Sequence, residues 1–197
     1  MPRALLHTCC GPCAGHAVEE LRRRGYDVTF CFANANLSPP EEYARRLEAA
    51  RRLAGRLGAP LIADPPDHGA WRTEMVGLEA EPEGGARCRR CFAHALRRVR
   101  ALAVAGGFDA FTTTLTVSPH KSAAVIHALG REIDPERFLP LDFKQRDGFR
   151  RSADLARECG LYRQDYCGCE FSLTGRDVRK AKPRRPAAAA ATISPPA

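Results

Sequence analysis

Apolar and polar segments alternate along the chain in a way that predicts alternating strands and helices. The short apolar run "RALLHT" at 3–8, which glycine and proline follow closely, predicts a buried strand. Segment 13–25 places apolar residues at helical spacing and stops at Gly25, which predicts a helix. A second strand is expected over 27–34, where β-branched and aromatic residues dominate. This succession is typical of βαβ units in a parallel α/β sheet.

The same alternation continues through the rest of the chain with less regularity. Segment 38–58 predicts a helix with Ser38 as its N-cap, and 59–63 predicts a third strand. A helix over 150–161 is expected to have Ser152 as its cap. Further helices are expected near 69–78, 88–107 and 119–132, with a strand at 108–118 and a short apolar piece at 138–143.

Length and composition favour one α/β domain with a tail. The 197 residues are 44% apolar, which is enough to build a core without disulfides. Residues 1–178 are expected to form the domain, and the basic Ala/Pro-rich segment 179–197 is expected to be disordered. No apolar run approaches the roughly 20 residues of a membrane span, and the N-terminus lacks the apolar core of a signal peptide. The expected location is cytoplasmic, without a membrane partner.

The charge of the chain permits a polyanionic partner without establishing one. The formal net charge is +8 at pH 7, which is compatible with RNA binding. Segment 179–185, "RKAKPRR", supplies part of this charge and has no acidic residue. The body of the chain is therefore only mildly basic.

Cysteines are the chain's most informative residues. Nine cysteines in a chain of a reducing compartment indicate metal binding or redox chemistry. Cys9, Cys10 and Cys13 follow the first predicted strand, at the sheet edge where α/β proteins bind ligands. Cys88 and Cys91 form a C-x-x-C at the start of a helix, whose N-terminus is expected to lower their pKa values. Together the two groups offer enough thiolates for a Cys₄ zinc site or a cubane cluster.

From the residues alone, three kinds of site remain open: an iron–sulfur or mixed-metal redox site, a structural zinc site, and a thiol–disulfide site. The adjacent pair Cys9-Cys10 differs from zinc-ribbon spacing, and the chain is long enough to fold without a metal. The third group, Cys167-Gly168-Cys169, can bind metal or form a strained disulfide. Cys31 and Cys159 are interpreted as small buried hydrophobic residues. No nucleotide-binding glycine motif is present in the sequence.

Basic residues near these cysteines suggest an anionic substrate. Arg87 precedes the C-x-x-C, and Arg89 and Arg90 lie within it, where they can attract an anion or simply be solvated at a helix start. "TTTLTVSPHKS" places His120 and Lys121 between a strand end and a helix N-terminus, which is a suitable cradle for phosphate.

Five longer motifs give the chain a family resemblance. These are "LLHTCCGPC", "NANLSPPEEYARR", "EPEGGARCRRCF", "GFDAFTTTLTVSPHKS" and "DFKQRDGFRRSADLARECGLYRQDYCGCEFS". In order and content they resemble the cobalamin-independent epoxyqueuosine reductases, the QueH family, from about Leu5 to Leu173. "NANL" departs mildly from the Asn-Pro-Asn-Ile expected there.

The resemblance implies a fold and a reaction. The fold would be a single α/β domain whose mostly parallel, Rossmann-like (HUP-like) sheet is flanked by helices, with the cofactor site at the carboxyl edge of the strands. The protein would be an oxidoreductase that removes the epoxide oxygen of epoxyqueuosine at the tRNA wobble position, which is the last step of queuosine biosynthesis. This step consumes two electrons and two protons and releases water. A small ferredoxin or flavodoxin is the expected electron donor.

The resemblance also implies cofactors and residue roles. Members of the family use a [4Fe–4S] cluster with an additional mononuclear iron beside it. On this basis the cluster ligands are Cys9, Cys10, Cys88 and Cys91, with no disulfide among them, and Cys13 faces the second iron. Cys167 and Cys169 are further metal ligands or a redox-active dithiol. The proton-donor candidates are His120, Lys121, Asp165 and Tyr166. The expected phosphate contacts are Arg87, Arg89, Lys121, Arg150 and Arg151.

Two other functions are compatible with the residues. A zinc-stabilised RNA-binding module explains the charge and the C-x-x-C, and leaves Cys167 and Cys169 without a purpose. A thiol–disulfide oxidoreductase needs a C-x-x-C that follows a strand, whereas here the Gly-rich loop "EPEGGAR" precedes it.

Overall fold

Four parallel strands form the sheet of the computed structural model, which describes residues 1–174. The spatial order is β3-β2-β1-β4, so the first strand lies inside the sheet. This confirms the predicted parallel α/β architecture. The expected tail at 179–197 lies outside the described residues. The strands are β1 (Arg3–His7), β2 (Asp27–Phe32), β3 (Leu61–Ala63) and β4 (Ala110–Thr113).

Six α-helices and one 3₁₀ turn with defined bounds lie between or after these strands within residues 1–174, and residues 170–174 are also helical. None of these helices is both long and apolar enough to cross a membrane. The helices are α1 (Gly11–Arg23), α2 (Pro40–Arg56), α3 (His68–Glu74), α4 (Ala86–Ala105), α5 (Ala123–Ile133) and α6 (Gly148–Glu158), and the 3₁₀ turn covers Thr114–Val117.

Both faces of the sheet are covered, and β1 shows how the sequence specifies this. Leu5 and Leu6 are both fully buried, on opposite faces, because successive strand residues point in opposite directions. Leu6 packs with Phe30 and residues of α1 and α2, while Leu5 packs with Phe111 and residues of α4. Each such leucine contributes about 1.5–3 kcal/mol by leaving water. A strand buried on both faces reads as a continuous apolar run, as this one does.

Two predicted helix caps are wrong. The N-cap of α2 is Pro39 rather than Ser38, because the helix begins one residue later, with Pro40 in its first turn. Ser152 lies inside α6, since that helix begins at Gly148. The helix can begin at this position because Gly148 has no Cβ. A Cβ there would collide with the carbonyl oxygen of Phe143. Buried Ser152 lines the cavity described below instead.

The apolar piece predicted at 138–143 does not form a full strand. Phe138 makes one parallel bridge to Phe111, at the free edge of β4. The strand predicted at 108–118 is likewise shorter than expected, because the backbone turns into the 3₁₀ helix after Thr113.

Candidate active site

The carboxyl ends of the parallel strands border a cavity of about 710 Å³. Cys9 follows β1, Asn34 follows β2 and Ser118 follows β4, and all three line the cavity. The site therefore lies at the sheet edge that the sequence predicts. Eight predicted site residues line it: Cys9, Cys13, Cys91, His120, Lys121, Asp165, Tyr166 and Cys167.

The segment Cys9–Cys13, here called the N-terminal thiol loop, joins β1 to α1. Cys10 is the extended N-cap of α1, and Cys13 lies three residues later in the first turn. This geometry brings their Cα atoms to 5.6 Å, and the structure joins the two sulfurs as a disulfide. The prediction that Cys10 forms no disulfide is therefore wrong for this structure, because one helical turn places both thiols on the same side.

Cys9 is held by the 3₁₀ turn that follows β4. Its backbone N–H donates to Thr114 Oγ1 at 3.1 Å, and that hydroxyl lies 3.3 Å from the Cys9 sulfur. Cys9 is half-buried and lines the cavity, whereas Cys10 is fully buried. The Thr114 hydroxyl thus helps to position Cys9 at the cavity.

A buried polar network connects the three strand ends. His7 Nδ1 lies 2.8 Å from Thr113 Oγ1, and His7 Nε2 lies 3.3 Å from Asn34 Oδ1. Asn34 Nδ2 donates to the carbonyl oxygen of Thr8 at 2.9 Å. Burial lowers the pKa of His7 to about 4, although the hydrogen bond from its ring to Asn34 Oδ1 opposes this shift. His7 is therefore neutral at pH 7 and ties the loops together.

Cys88 and Cys91 have raised rather than lowered pKa values. Burial is the largest cause for both thiols, and the charge of Cys167 adds to it. The Gly84 N–H donates to the Cys88 sulfur at 3.2 Å, and the Trp71 indole N–H donates to the Cys91 sulfur at 3.4 Å. These hydrogen bonds oppose the rise in pKa without overcoming it. The predicted lowering by the helix N-terminus is wrong, because desolvation outweighs it. A bound metal cation reverses this balance by stabilising thiolates.

Cys167–Cys169, here called the C-terminal thiol segment, reaches the same region from the other end of the chain. Both cysteines are free thiols. Cys167 lines the cavity, while buried Cys169 packs with Trp71 and Cys91. The sequence motif therefore contributes one thiol to the cavity and one to the apolar wall beside the C-x-x-C.

A buried arginine holds the C-terminal thiol segment, together with the Ser38 N–H, which donates to the carbonyl oxygen of Gly168 at 2.9 Å. The Arg46 guanidinium donates to the carbonyl oxygens of Cys167 and Tyr166 at 3.0 and 3.1 Å. Its Nε donates to Glu42 Oε1 at 2.7 Å, and the Tyr162 hydroxyl donates to the other oxygen of that carboxylate at 2.7 Å. Arg46 is 2% exposed, so this ion pair is shielded from water.

The predicted proton donors surround the cavity. His120, Lys121, Asp165 and Tyr166 all line it. Burial by itself lowers the pKa of Lys121, but the nearby thiolates and a carboxylate outweigh this and raise it. Lys121 is therefore a cation at neutral pH. The Tyr166 hydroxyl donates to the carbonyl oxygen of Ser38 at 2.7 Å.

Arg87 is not placed to bind phosphate. It is buried, and its guanidinium donates to the carbonyl oxygens of Leu78 and Glu79 at 3.2 and 2.7 Å. The same guanidinium lies 4.6 Å from the centre of the Phe171 ring. This corrects the sequence prediction, because the charged group is used to hold the loop before α4.

The other predicted arginines are exposed and lie outside the cavity lining. Arg89 is exposed near the start of α4. Arg150 has 82% of its side chain exposed, and Arg151 is half-exposed and paired with Glu19 at 2.7 Å. These three residues remain predicted phosphate contacts.

The thiols present are suitable donors for a metal centre. Cys9, Cys91 and Cys167 line one cavity as free thiols, and Cys13 lines it as half of the disulfide. Sulfur ligands favour iron–sulfur clusters and zinc. Within residues 1–174, one group of three potential ligands lies within 4.8 Å of one another, and it consists of Cys9, Cys10 and Cys13. These three cysteines could bind a metal ion, and Cys88 and Cys91 lie outside this group. The set of four cluster ligands, Cys9, Cys10, Cys88 and Cys91, stays a prediction.

Sequence reasoning missed several residues of the site. Asn34 lies in a quoted motif, yet its role depends on β1 and β2 being neighbours. Arg46 looks like one arginine among many on α2. Phe149 and Arg163 line the cavity, and the signal for Phe149 is an aromatic residue directly before two arginines.

Fold and site together define an α/β protein with a thiol-lined cavity at the carboxyl edge of a parallel sheet. The family model described as "Epoxyqueuosine reductase QueH" matches residues 4–175, and the chain belongs to this family.

Relatives and a solved structure agree with this assignment. The Epoxyqueuosine reductase QueH of Streptococcus pyogenes serotype M1 is 38% identical over 92% of this chain and 75% of that protein. The one of Thermotoga maritima is 31% identical over 92% of this chain and 96% of that protein. The crystal structure of a predicted subunit of tRNA methyltransferase from Methanocaldococcus jannaschii has a TM-score of 0.55, covers 78% of this chain and 75% of that chain, and is 12% identical. That similarity shows a shared fold alone.

Proposed function

We propose that the protein is an epoxyqueuosine reductase that converts epoxyqueuosine in tRNA to queuosine. The observation that carries this proposal is the convergence of three cysteine segments on one cavity, in a chain that the family model matches over residues 4–175. A shared fold by itself would not support this proposal, because function depends on the site and not on the fold.

The reaction breaks both C–O bonds of an epoxide and forms a C=C bond, and the oxygen leaves as water. It consumes two electrons and two protons. Cys167 and Cys169 are free thiols, and their joint oxidation to a disulfide releases these two electrons and two protons. A small ferredoxin or flavodoxin then regenerates the dithiol. A strained C-x-C disulfide is readily reduced, which favours regeneration of the dithiol.

The family assignment and the donor set support a metal cofactor held by the other thiols. Cys9, Cys10, Cys88 and Cys91 would hold a [4Fe–4S] cluster, and Cys13 would face an additional mononuclear iron. When bound, such a centre transfers single electrons and acts as a Lewis acid toward an oxygen atom. Because ligands must be thiolates, the Cys10–Cys13 disulfide must be reduced before either residue binds metal.

The cavity also supplies groups for the protons and for the substrate's charge. His120 and Asp165 both line the cavity and are candidate proton donors. Lys121 provides a cation beside them, which suits a phosphate of the RNA backbone. Arg150, on the first turn of α6, is exposed enough to contact a second phosphate.

Anaerobic purification tests this proposal. Iron and acid-labile sulfide are quantified first, and the protein is then assayed on tRNA that carries epoxyqueuosine. We expect a brown protein that bleaches with dithionite and converts the tRNA to the queuosine form. A protein that holds only zinc and leaves the tRNA unchanged would refute the proposal.

A further inference from the structure

Phe149 is an exposed aromatic residue at the cavity. It is the second residue of α6, and 45% of its surface is exposed. Within residues 1–174, the other exposed large apolar side chains are Met1, Val76 and Val104, and none of these lines the cavity. An exposed phenylalanine at the cavity is therefore a local feature and not part of a general apolar surface.

Arginine accompanies the Phe149 ring. Arg163 lines the same cavity, and its guanidinium carbon lies 5.9 Å from the ring centre, within cation–π range. In the described part of the chain, no carboxylate forms an ion pair with Arg163. Arg150 follows Phe149 directly and is 82% exposed, with its closest carboxylate at 3.9 Å. The ring therefore has the Arg163 cation beside it, and exposed Arg150 follows it in the chain.

We propose that Phe149 and Arg163 form a stacking platform for one unpaired nucleobase of a single-stranded RNA loop. The base that stacks is a neighbour of the nucleotide whose modified base enters the cavity. This proposal rests on the proposed function, since it assumes an RNA substrate, and it names the residues that hold that substrate outside the reacting group.

When a nucleotide turns its base into a cavity, the adjacent base loses a stacking partner on one side. Proteins that bind single strands restore this contact with an aromatic ring or a guanidinium plane. Phe149 offers the ring, and Arg163 and Arg150 match the negative charge of the adjoining phosphates. A peptide or lipid partner gives no reason for this platform to border a thiol-lined cavity.

The test uses Phe149→Ala, Phe149→Tyr and a control, Val104→Ala. Val104 is also 45% exposed, and it lies near the carboxyl end of α4, outside the cavity lining. The probe is an anticodon stem-loop RNA with 2-aminopurine at either position next to the target nucleotide. Stacking quenches the fluorescence of this base. Affinity is measured by titration at several salt concentrations, and the melting temperature of each variant verifies folding.

Wild type should quench the probe at one of the two neighbouring positions. Phe149→Ala should abolish that quenching and weaken binding by about 5- to 100-fold, the range for loss of one base–aromatic stack. The salt dependence of binding should stay unchanged, because no phosphate contact is lost. Phe149→Tyr should restore both quenching and affinity, and Val104→Ala should resemble wild type.

Two outcomes overturn the platform. One is quenching and affinity in folded Phe149→Ala equal to those of wild type. The other is a loss of affinity in Phe149→Ala with a reduced salt dependence, which indicates a changed phosphate contact. The probe measures binding without turnover, so the proposals can fail separately. Quenching without any reduction of epoxyqueuosine supports the platform and refutes the reductase. Reduction of epoxyqueuosine without quenching supports the reductase and refutes the platform.

Discussion

The two thiol regions of the cavity are held in different ways. The N-terminal thiol loop lies between a central strand and the helix that follows it, and the Thr114 hydroxyl accepts a hydrogen bond from the backbone N–H of Cys9. The C-terminal thiol segment follows α6 without a strand of its own; Arg46 donates to the carbonyl oxygens of Cys167 and of the preceding Tyr166, and the Ser38 N–H donates to that of Gly168. The first region therefore depends on a central strand, whereas the second depends on long-range contacts that include one buried guanidinium.

The largest expected effect concerns the chemistry of the C-terminal thiol segment. Cys167→Ser and Cys169→Ser should abolish turnover, because the hydroxyl cannot supply electrons, while tRNA affinity stays within about twofold. A nucleoside assay and a filter-binding titration measure the two quantities. Cys159→Ser is the matched control, since Cys159 is a half-buried free thiol outside the cavity lining. Retained turnover in the Cys167 variant would leave the segment without a redox role.

Arg46→Met tests the dependence of this segment on one guanidinium. It leaves the Glu42 carboxylate buried without its cation, which should lower the free energy of unfolding by about 3–5 kcal/mol. Urea unfolding gives this value. Arg45→Met, on the exposed neighbouring position, should change stability by less than about 0.5 kcal/mol. Equal stability of the two variants would show that Arg46 is not the anchor.

Gly168→Ala changes the backbone of the same segment. Gly168 has a φ of 125°, which side chains rarely adopt, and a Cβ there would press on Leu37 and the Arg46 guanidinium. We expect a loss of about 1–3 kcal/mol in stability and a larger loss in turnover. Gly55→Ala, a helical position with open space around it, should instead stabilise by about 0.5–1 kcal/mol. Thermal unfolding of both variants provides the comparison.

The smallest expected effect concerns α1, which continues from the N-terminal thiol loop. Glu20 binds exposed arginines, and the hydrogen bond from Arg23, with the charges of Arg24 and Arg146, holds its pKa below the usual range. The ionised Glu20 carboxylate therefore adds to the free energy of unfolding above the ordinary carboxyl pKa, and this addition is lost as the pH falls through the folded-state pKa. Glu20→Gln should cost about 0.5–1 kcal/mol at pH 7, and the difference should vanish at low pH. A constant difference across this pH range would exclude ionisation as its cause.

The difference between the two regions also explains what could be predicted from the sequence. A local apolar run predicts the strand before Cys9 and the burial of that strand. It also predicts that Cys9 lies at the carboxyl end of the strand. The position of Cys91 at the start of a helix is equally local. These are short-range patterns, and the structure confirms them.

Properties that depend on distant neighbours were not predictable in this way. The role of Arg46 requires partners 120 and 121 residues away. The raised pKa of Cys91 depends on burial by segments that the sequence does not bring together. The sequence around Arg87 predicts a surface charge at a helix start. Its burial against Phe171 depends on tertiary structure, which the local sequence does not show. The Cys10–Cys13 pairing is local, and the one-turn spacing could have indicated it.

The central claim is that the free thiols of this cavity drive the reduction of a modified tRNA base, and a single-turnover assay tests it most directly. Iron-loaded, anaerobically reduced protein is separated from its reductant and mixed with tRNA that carries epoxyqueuosine, and the nucleosides are analysed by mass spectrometry. We predict that wild type converts the base to queuosine by loss of one oxygen atom, and that a protein with both Cys167→Ser and Cys169→Ser does not. Conversion by the double variant at the wild-type level, or none by iron-loaded wild type, would contradict the claim.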